Sequence, residues 1–159
     1  MNSITKTWRS FWRSSGFERG ILLEAAAALT ATWAGLRLAG FRRWKNLLEW
    51  LTPGIFPADS VESSGLLESA RTIAKIQQSA ARHLFFGPNC LEQSIVLWWL
   101  LRIRGISADL RIGARKQAGR FEAHAWVEFA GTVLNDSGDA HIHFVPFDGP
   151  LSSMETQTH

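Results

Sequence analysis

At Gly105 the spacing of apolar residues changes from helical to alternating, and this change restricts the chain to helices first and strands second. Before it, Leu91 to Arg104 is apolar most of the way round, with Ile95, Val96, Leu97, Trp98, Trp99, Leu100 and Leu101 in one run. A helix of that kind belongs in the centre of a core, and Gly105 is placed to end it. After it, Phe121, Ala123, Ala125, Val127 and Phe129 alternate with Glu122, His124, Trp126 and Glu128, which is the two-residue period of a strand. Consecutive strands separated by turn residues pair antiparallel, so the expected class is α+β: N-terminal helices, then a central helix packed on an antiparallel sheet.

The rest of the pattern follows the same logic. Residues 17–39 predict a helix rich in Ala and Leu, stopped by Gly40, and residues 41–51 a shorter one with Phe41, Trp44, Leu48 and Leu51 in register. Thr52-Pro53-Gly54-Ile55-Phe56-Pro57 is a break. Asp59 and Glu62 form a capping pair for a third helix, whose stripe is Leu66, Ala70, Ile73, Gln77, Ala80 and Leu84. Strands are expected over 108–112, 121–129 and 132–136, with a polar basic loop over 114–120 and a further strand over 141–147. The length, 159 residues, suits one domain. Within it the sequence divides into a helical region 1–58, a core 59–149 and a loose tail 150–159.

Charge is unevenly distributed. Residues 1–51 hold eight Lys/Arg and three acids, whereas 52–159 hold nine and eleven. Five of the eight tryptophans also lie in the first segment. Such a region either completes the core with solvated Arg residues or docks an acidic partner, a peptide, a protein or a membrane surface. No nucleic-acid motif accompanies the charge, so nucleic acid is not an expected partner. The single cysteine excludes an internal disulfide and fits a reducing, cytoplasmic setting. The N-terminus lacks the apolar core of a signal peptide. The Ile21–Leu38 run contains Glu24 and Arg37 and reads as a packed or interfacial helix rather than a span.

Cys90 stands at the start of the central helix, where unpaired N–H groups and the helix dipole favour a thiolate and can receive an oxyanion. Taken alone, a lone cysteine is more often a small buried apolar residue than a nucleophile. His124 in a strand and Asp136 at a strand end are equally ordinary by themselves. Their register improves the case. A three-residue loop Phe129-Ala130-Gly131 would pair Glu128 with Thr132 and His124 with Asp136, on one face with Cβ atoms about 5 Å apart. A two-residue loop would set Asp136 opposite Ala125 and diagonal to His124, on the wrong face unless a bulge intervened.

These residues together resemble a family. Cys90 at a helix start, Arg102-Ile103-Arg104-Gly105-Ile106, His124-Ala125-Trp126-Val127-Glu128 and Asp136 resemble the transglutaminase-like cysteine enzymes. Asn89-Cys90-Leu91-Glu92-Gln93-Ser94, the 100–108 segment and the 121–128 segment resemble, more narrowly, the leader peptidases of lasso-peptide biosynthesis. The resemblance spans about 62–136. It implies a transglutaminase-like or papain-like core, with Cys90 as nucleophile, His124 as general base and then acid, and Asp136 holding the His124 tautomer. It also implies a precursor-peptide substrate cut at the leader–core junction and an ATP-using macrolactam synthetase that takes the new amine. The first 58 residues contain no β-rich leader-recognition module, so a separate leader-recognition protein is implied. Papain-like enzymes carry an oxyanion Gln six residues before the cysteine; here that position is Leu84.

Other readings share some of these residues. A transglutaminase or amidase acting on protein glutamine would use the same triad, and a non-catalytic scaffold could keep the same fold. His141 and His143 would share a strand face and with His124 could reach a metal, but no further ligand is evident and no metal or other cofactor is expected. No Gly-rich phosphate loop supports a nucleotide site.

Overall fold

The structure is a computed structural model and describes residues 16–52, 63–117, 119–136 and 140–147. Helix α1 spans Gly16–Leu38, α2 Phe41–Leu51, α3 Ser63–His83 and α4 Cys90–Arg102. Strands β1 (Asp109–Gln117), β2 (Arg120–Phe129), β3 (Thr132–Val133) and β4 (Val145–Pro146) follow, with a 3-10 turn at Ala140–His143 before β4. The strands form one antiparallel sheet in the order β3-β2-β1-β4, so the α+β expectation holds.

Helix α4 is the hub. Ile95, Val96, Leu97, Leu100 and Leu101 are all buried, and they pack with Ile21, Ala25 and Leu29 of α1 and Ala70, Ile73 and Ala74 of α3. Leu110 and Val127 bring the sheet into the same cluster. Most of the predicted α3 stripe is therefore core, although Gln77 is fully buried with neither amide atom bonded to protein.

Helix α1 is long and apolar enough to cross a membrane, over Glu18–Leu38. One face of it is nonetheless committed to the core, through Ile21, Ala25, Leu29 and Thr32. Glu24 also pairs with Arg104 just beyond α4. Gly40, at φ 78°, turns the chain back into α2. There Trp44 lies so close to Gly35 that any Cβ at that position would stand 2.2 Å from its ring. The Trp44 indole N–H donates to Thr32 Oγ1 at 3.2 Å, so this tryptophan is an internal anchor. Trp50 is different, being 77% exposed. Trp8, Trp12, the Asp59–Glu62 capping pair and the tail lie outside the described residues.

Several expectations about the sheet are corrected, among them the 132–136 strand, which ends at Val133. Residues 114–117 are strand rather than loop, because Arg115 and Lys116 have cross-strand partners: Arg115 pairs with Glu122, and the Lys116 ammonium lies 5.7 Å from the Phe121 ring centre. The 141–147 strand is replaced by the 3-10 turn and the two-residue β4. The β2–β3 loop is two residues long, Ala130-Gly131, with φ of 48° and 73°. Both residues are left-handed, as a type I′ hairpin requires, and Glu128 accordingly faces Val133 instead of Thr132.

Candidate active site

Cys90 is the first residue of α4, held there by its neighbours. Asn89 is the N-cap: its side chain accepts the Glu92 N–H at 2.9 Å, and Glu92 reaches back to accept the Asn89 N–H at 2.9 Å. This capping box satisfies those two donors, while helix geometry gives the Cys90 and Leu91 N–H groups no acceptor within the helix. Glu92 is buried and is also paired with Arg37 of α1 at 3.0 Å, so the helix start is tied to the core. The Cys90 side chain is partly exposed.

One turn further along the same helix face, Ser94 joins α4 to the strand that carries His124. Its hydroxyl donates to Ala125 O at 2.9 Å and accepts from Asn135 Nδ2 at 2.8 Å. Asn135 Oδ1 in turn accepts the Val127 N–H at 2.8 Å. This last bond explains how Asp136 reaches His124 despite the two-residue hairpin. Leu134 N–H still bonds Val127 O at 2.9 Å, but the Asn135 side chain takes the position where a continuing β3 would present its backbone carbonyl. The chain therefore leaves the ladder, and Asp136 is not confined to the face opposite Ala125. Facing register, the expected route, is not what brings the pair together.

Asp136 Oδ1 lies 3.5 Å from His124 Nε2. At that separation the contact falls short of a formed hydrogen bond, and Nε2 is buried with no other partner. The acid side chain is only 4% exposed. Its other oxygen, Oδ2, accepts from the His141 ring at 2.8 Å and from the His141 main-chain N–H at 2.5 Å. The His124 ring is stacked at 5.9 Å on Trp126 and lies 5.2 Å from Phe144. Gly113, opposite His124 on β1, makes that enclosure possible. A Cβ there would stand 2.9 Å from both the Trp126 ring and Val145 O.

The structure thus brings His124 and Asp136 together and links the His124 strand, through Ser94, to the helix begun by Cys90. Sequence reasoning missed Ser94, Asn135 and His141. The Asn89-x-x-Glu92 spacing was a readable cap signal, whereas no local pattern marks the other three. His141 and His143 do not form the strand pair that a metal reading needed, since they lie in a 3-10 turn. Among the described residues no three His, Cys, Asp or Glu side chains are arranged to hold a metal ion. A cleft of about 450 Å³ opens beside the start of α4, lined by Leu84, Gly87, Pro88, Gln93 and Asn135 with Gln78, Ala81 and Arg82. Pro88, Gln93 and Asn135 of its lining are close in sequence to Cys90 and Asp136, but Cys90, His124 and Asp136 do not themselves line it.

Residues 28–147 match the Transglutaminase-like superfamily. The chain belongs to this superfamily. It is also similar to McjB, the microcin J25-processing protein of Escherichia coli, at 44% identity over 52 residues. That similarity covers 33% of this chain and 24% of McjB, so the chain matches about a quarter of that relative's length. No solved structure matches.

Proposed function

We propose that this superfamily member is a cysteine peptidase that removes the leader from a ribosomally made lasso-peptide precursor. Cys90, His124 and Asp136 are its triad. The observation that carries the reading is the linked geometry: a cysteine at an N–H-rich helix start, bolted through Ser94 to the strand whose histidine faces a buried aspartate. Similarity to a protein named for processing microcin J25 supports the substrate class.

In this mechanism the Cys90 thiolate attacks the scissile carbonyl and the free N–H groups of the helix start receive the oxyanion. His124 gives its proton to the leaving amine as the C–N bond breaks, which leaves the leader as a thioester on Cys90. His124 then deprotonates a water that hydrolyses the thioester, releasing the leader carboxylate and the thiol. Nε2 is the ring nitrogen that faces Asp136, so Nδ1 is the atom that exchanges the proton. A separate protein supplies leader recognition, and a macrolactam synthetase uses the freed core amine.

The test is cleavage of a lasso-peptide precursor in the presence of its leader-binding protein. Cys90→Ala should reduce release to background while keeping the wild-type melting profile. Wild-type rates in the folded variant would remove Cys90 from the chemistry.

A further inference from the structure

Asp136 cannot rely on its strand for orientation. Strand β3 ends at Val133, and the last anchored residue before the acid is Asn135. A carboxylate at that point can rotate away from His124 unless something holds it. At 4% exposure, its charge also needs hydrogen-bond donors. Both needs are met at Oδ2, which accepts from the His141 main-chain N–H and from His141 Nδ1. A carboxylate only accepts, so Nδ1 carries the proton in this contact.

We propose that His141 is a positioning residue that fixes the Asp136 carboxylate so that Oδ1 faces His124 Nε2; this rests on the triad reading above. The placement of His141 suits the role. Its ring lies 6.1 Å from Trp126, the same indole that stacks on His124. Its main-chain carbonyl accepts the Phe144 N–H at 3.0 Å, and the Phe144 ring lies 5.2 Å from the His124 ring. The 3-10 turn therefore holds the aspartate through His141 and, through the His141 carbonyl, the residue whose ring neighbours the imidazole. Among the described residues, the neighbouring acids of β2 are already engaged, and His143 of the turn is exposed. Glu122 is tied to Arg115, and Glu128 to the Trp126 indole and Arg111. Opposite His124, Gly113 brings no charge. Cys90 is the remaining titratable group of the proposed triad.

The chain has one cysteine, so iodoacetamide labelling of the full protein reads Cys90 alone. At pH 6 wild type should label at least about tenfold faster than free N-acetylcysteine, as an activated catalytic thiol does. Asp136→Asn and His141→Ala should each lower that rate about five- to tenfold while all forms agree within about twofold at pH 9, where free thiols ionise as well. Asparagine carries its amide N where histidine carries Nδ1, and glutamine carries it farther out. His141→Asn should therefore restore the pH 6 rate to within about twofold, and His141→Gln should not. A loss of bulk alone would not separate these two variants. If His141→Ala loses its near-ultraviolet tryptophan signal, the Asn and Gln variants decide by the same criterion. A His141→Ala rate equal to wild type while Asp136→Asn falls, or equal behaviour of Asn and Gln, overturns the role of His141 and leaves the triad standing. Wild-type labelling no faster than the free thiol overturns the triad and this role together.

Discussion

Replacing Ser94 with alanine isolates the link between the cysteine helix and the histidine strand. Ser94 is fully buried, and its hydroxyl makes two hydrogen bonds, at 2.9 Å to Ala125 O and at 2.8 Å from Asn135 Nδ2. Each bond contributes roughly 1 kcal/mol net, and the Ala125 carbonyl, left bare in a buried position, adds a further penalty of order 1 kcal/mol, whereas part-buried Asn135 can turn to water. Little volume is lost, so the cavity contribution is small. The expected loss is about 3 kcal/mol, or about 6–12 °C in melting temperature for a domain of this size. Ser69→Ala is the matched control, because its hydroxyl only bonds back to Gly65 O on an exposed face; it should stay within about 0.5 kcal/mol of wild type. Urea unfolding of Ser94→Ala, Asn135→Ala and the double variant completes a cycle, with an interaction energy of about 1 kcal/mol or more expected. A Ser94→Ala protein within 0.5 kcal/mol of wild type, with additive behaviour in the cycle, would refute the claim that this hydroxyl fastens α4 to β2.

Ala130 adopts φ 48° in the two-residue hairpin, a conformation that disfavours an ordinary L residue. Ala130→Asn should stabilise the protein by about 0.5–1 kcal/mol, seen as a raised urea midpoint with unchanged slope. The exposed Arg42 and Arg43 of α2 test the docking role of the basic N-terminal region. Reversing both to Glu should weaken partner-dependent cleavage about tenfold, more at low salt than at high, with the melting temperature unchanged. Normal cleavage by this variant would assign the region to structure alone.

The helical half was legible because its signals are local. The α3 stripe, the apolar run of α4 and the Gly40 and Gly105 stops each depend on residues within a few turns of one another. Cys90 at a helix start was legible for the same reason, and the Asn89–Glu92 cap that enforces it was also present in the sequence. The sheet was legible only in its longest strand. Whether Arg115 and Lys116 belong to a loop or a strand depends on Glu122 and Phe121 across the hairpin. The hairpin length was misjudged because Gly131 suits both a two- and a three-residue loop, and only Ala130 in a left-handed conformation distinguishes them. The meeting of His124 with Asp136 was expected for the wrong reason. It depends on one side-chain amide, Asn135, displacing a backbone partner, and no periodicity encodes that. His141 reaches Asp136 only because a 3-10 turn folds over the sheet, a tertiary event with no local signature.

The central claim is that the leader passes through a thioester on Cys90. Acid quenching during turnover of the precursor, followed by intact-mass measurement, tests it most directly. The account predicts a species heavier than the free chain by the leader mass less one water, located on the Cys90 peptide and released by hydroxylamine. Rapid cleavage with no such species at any quench time, together with turnover by Cys90→Ala, would contradict it.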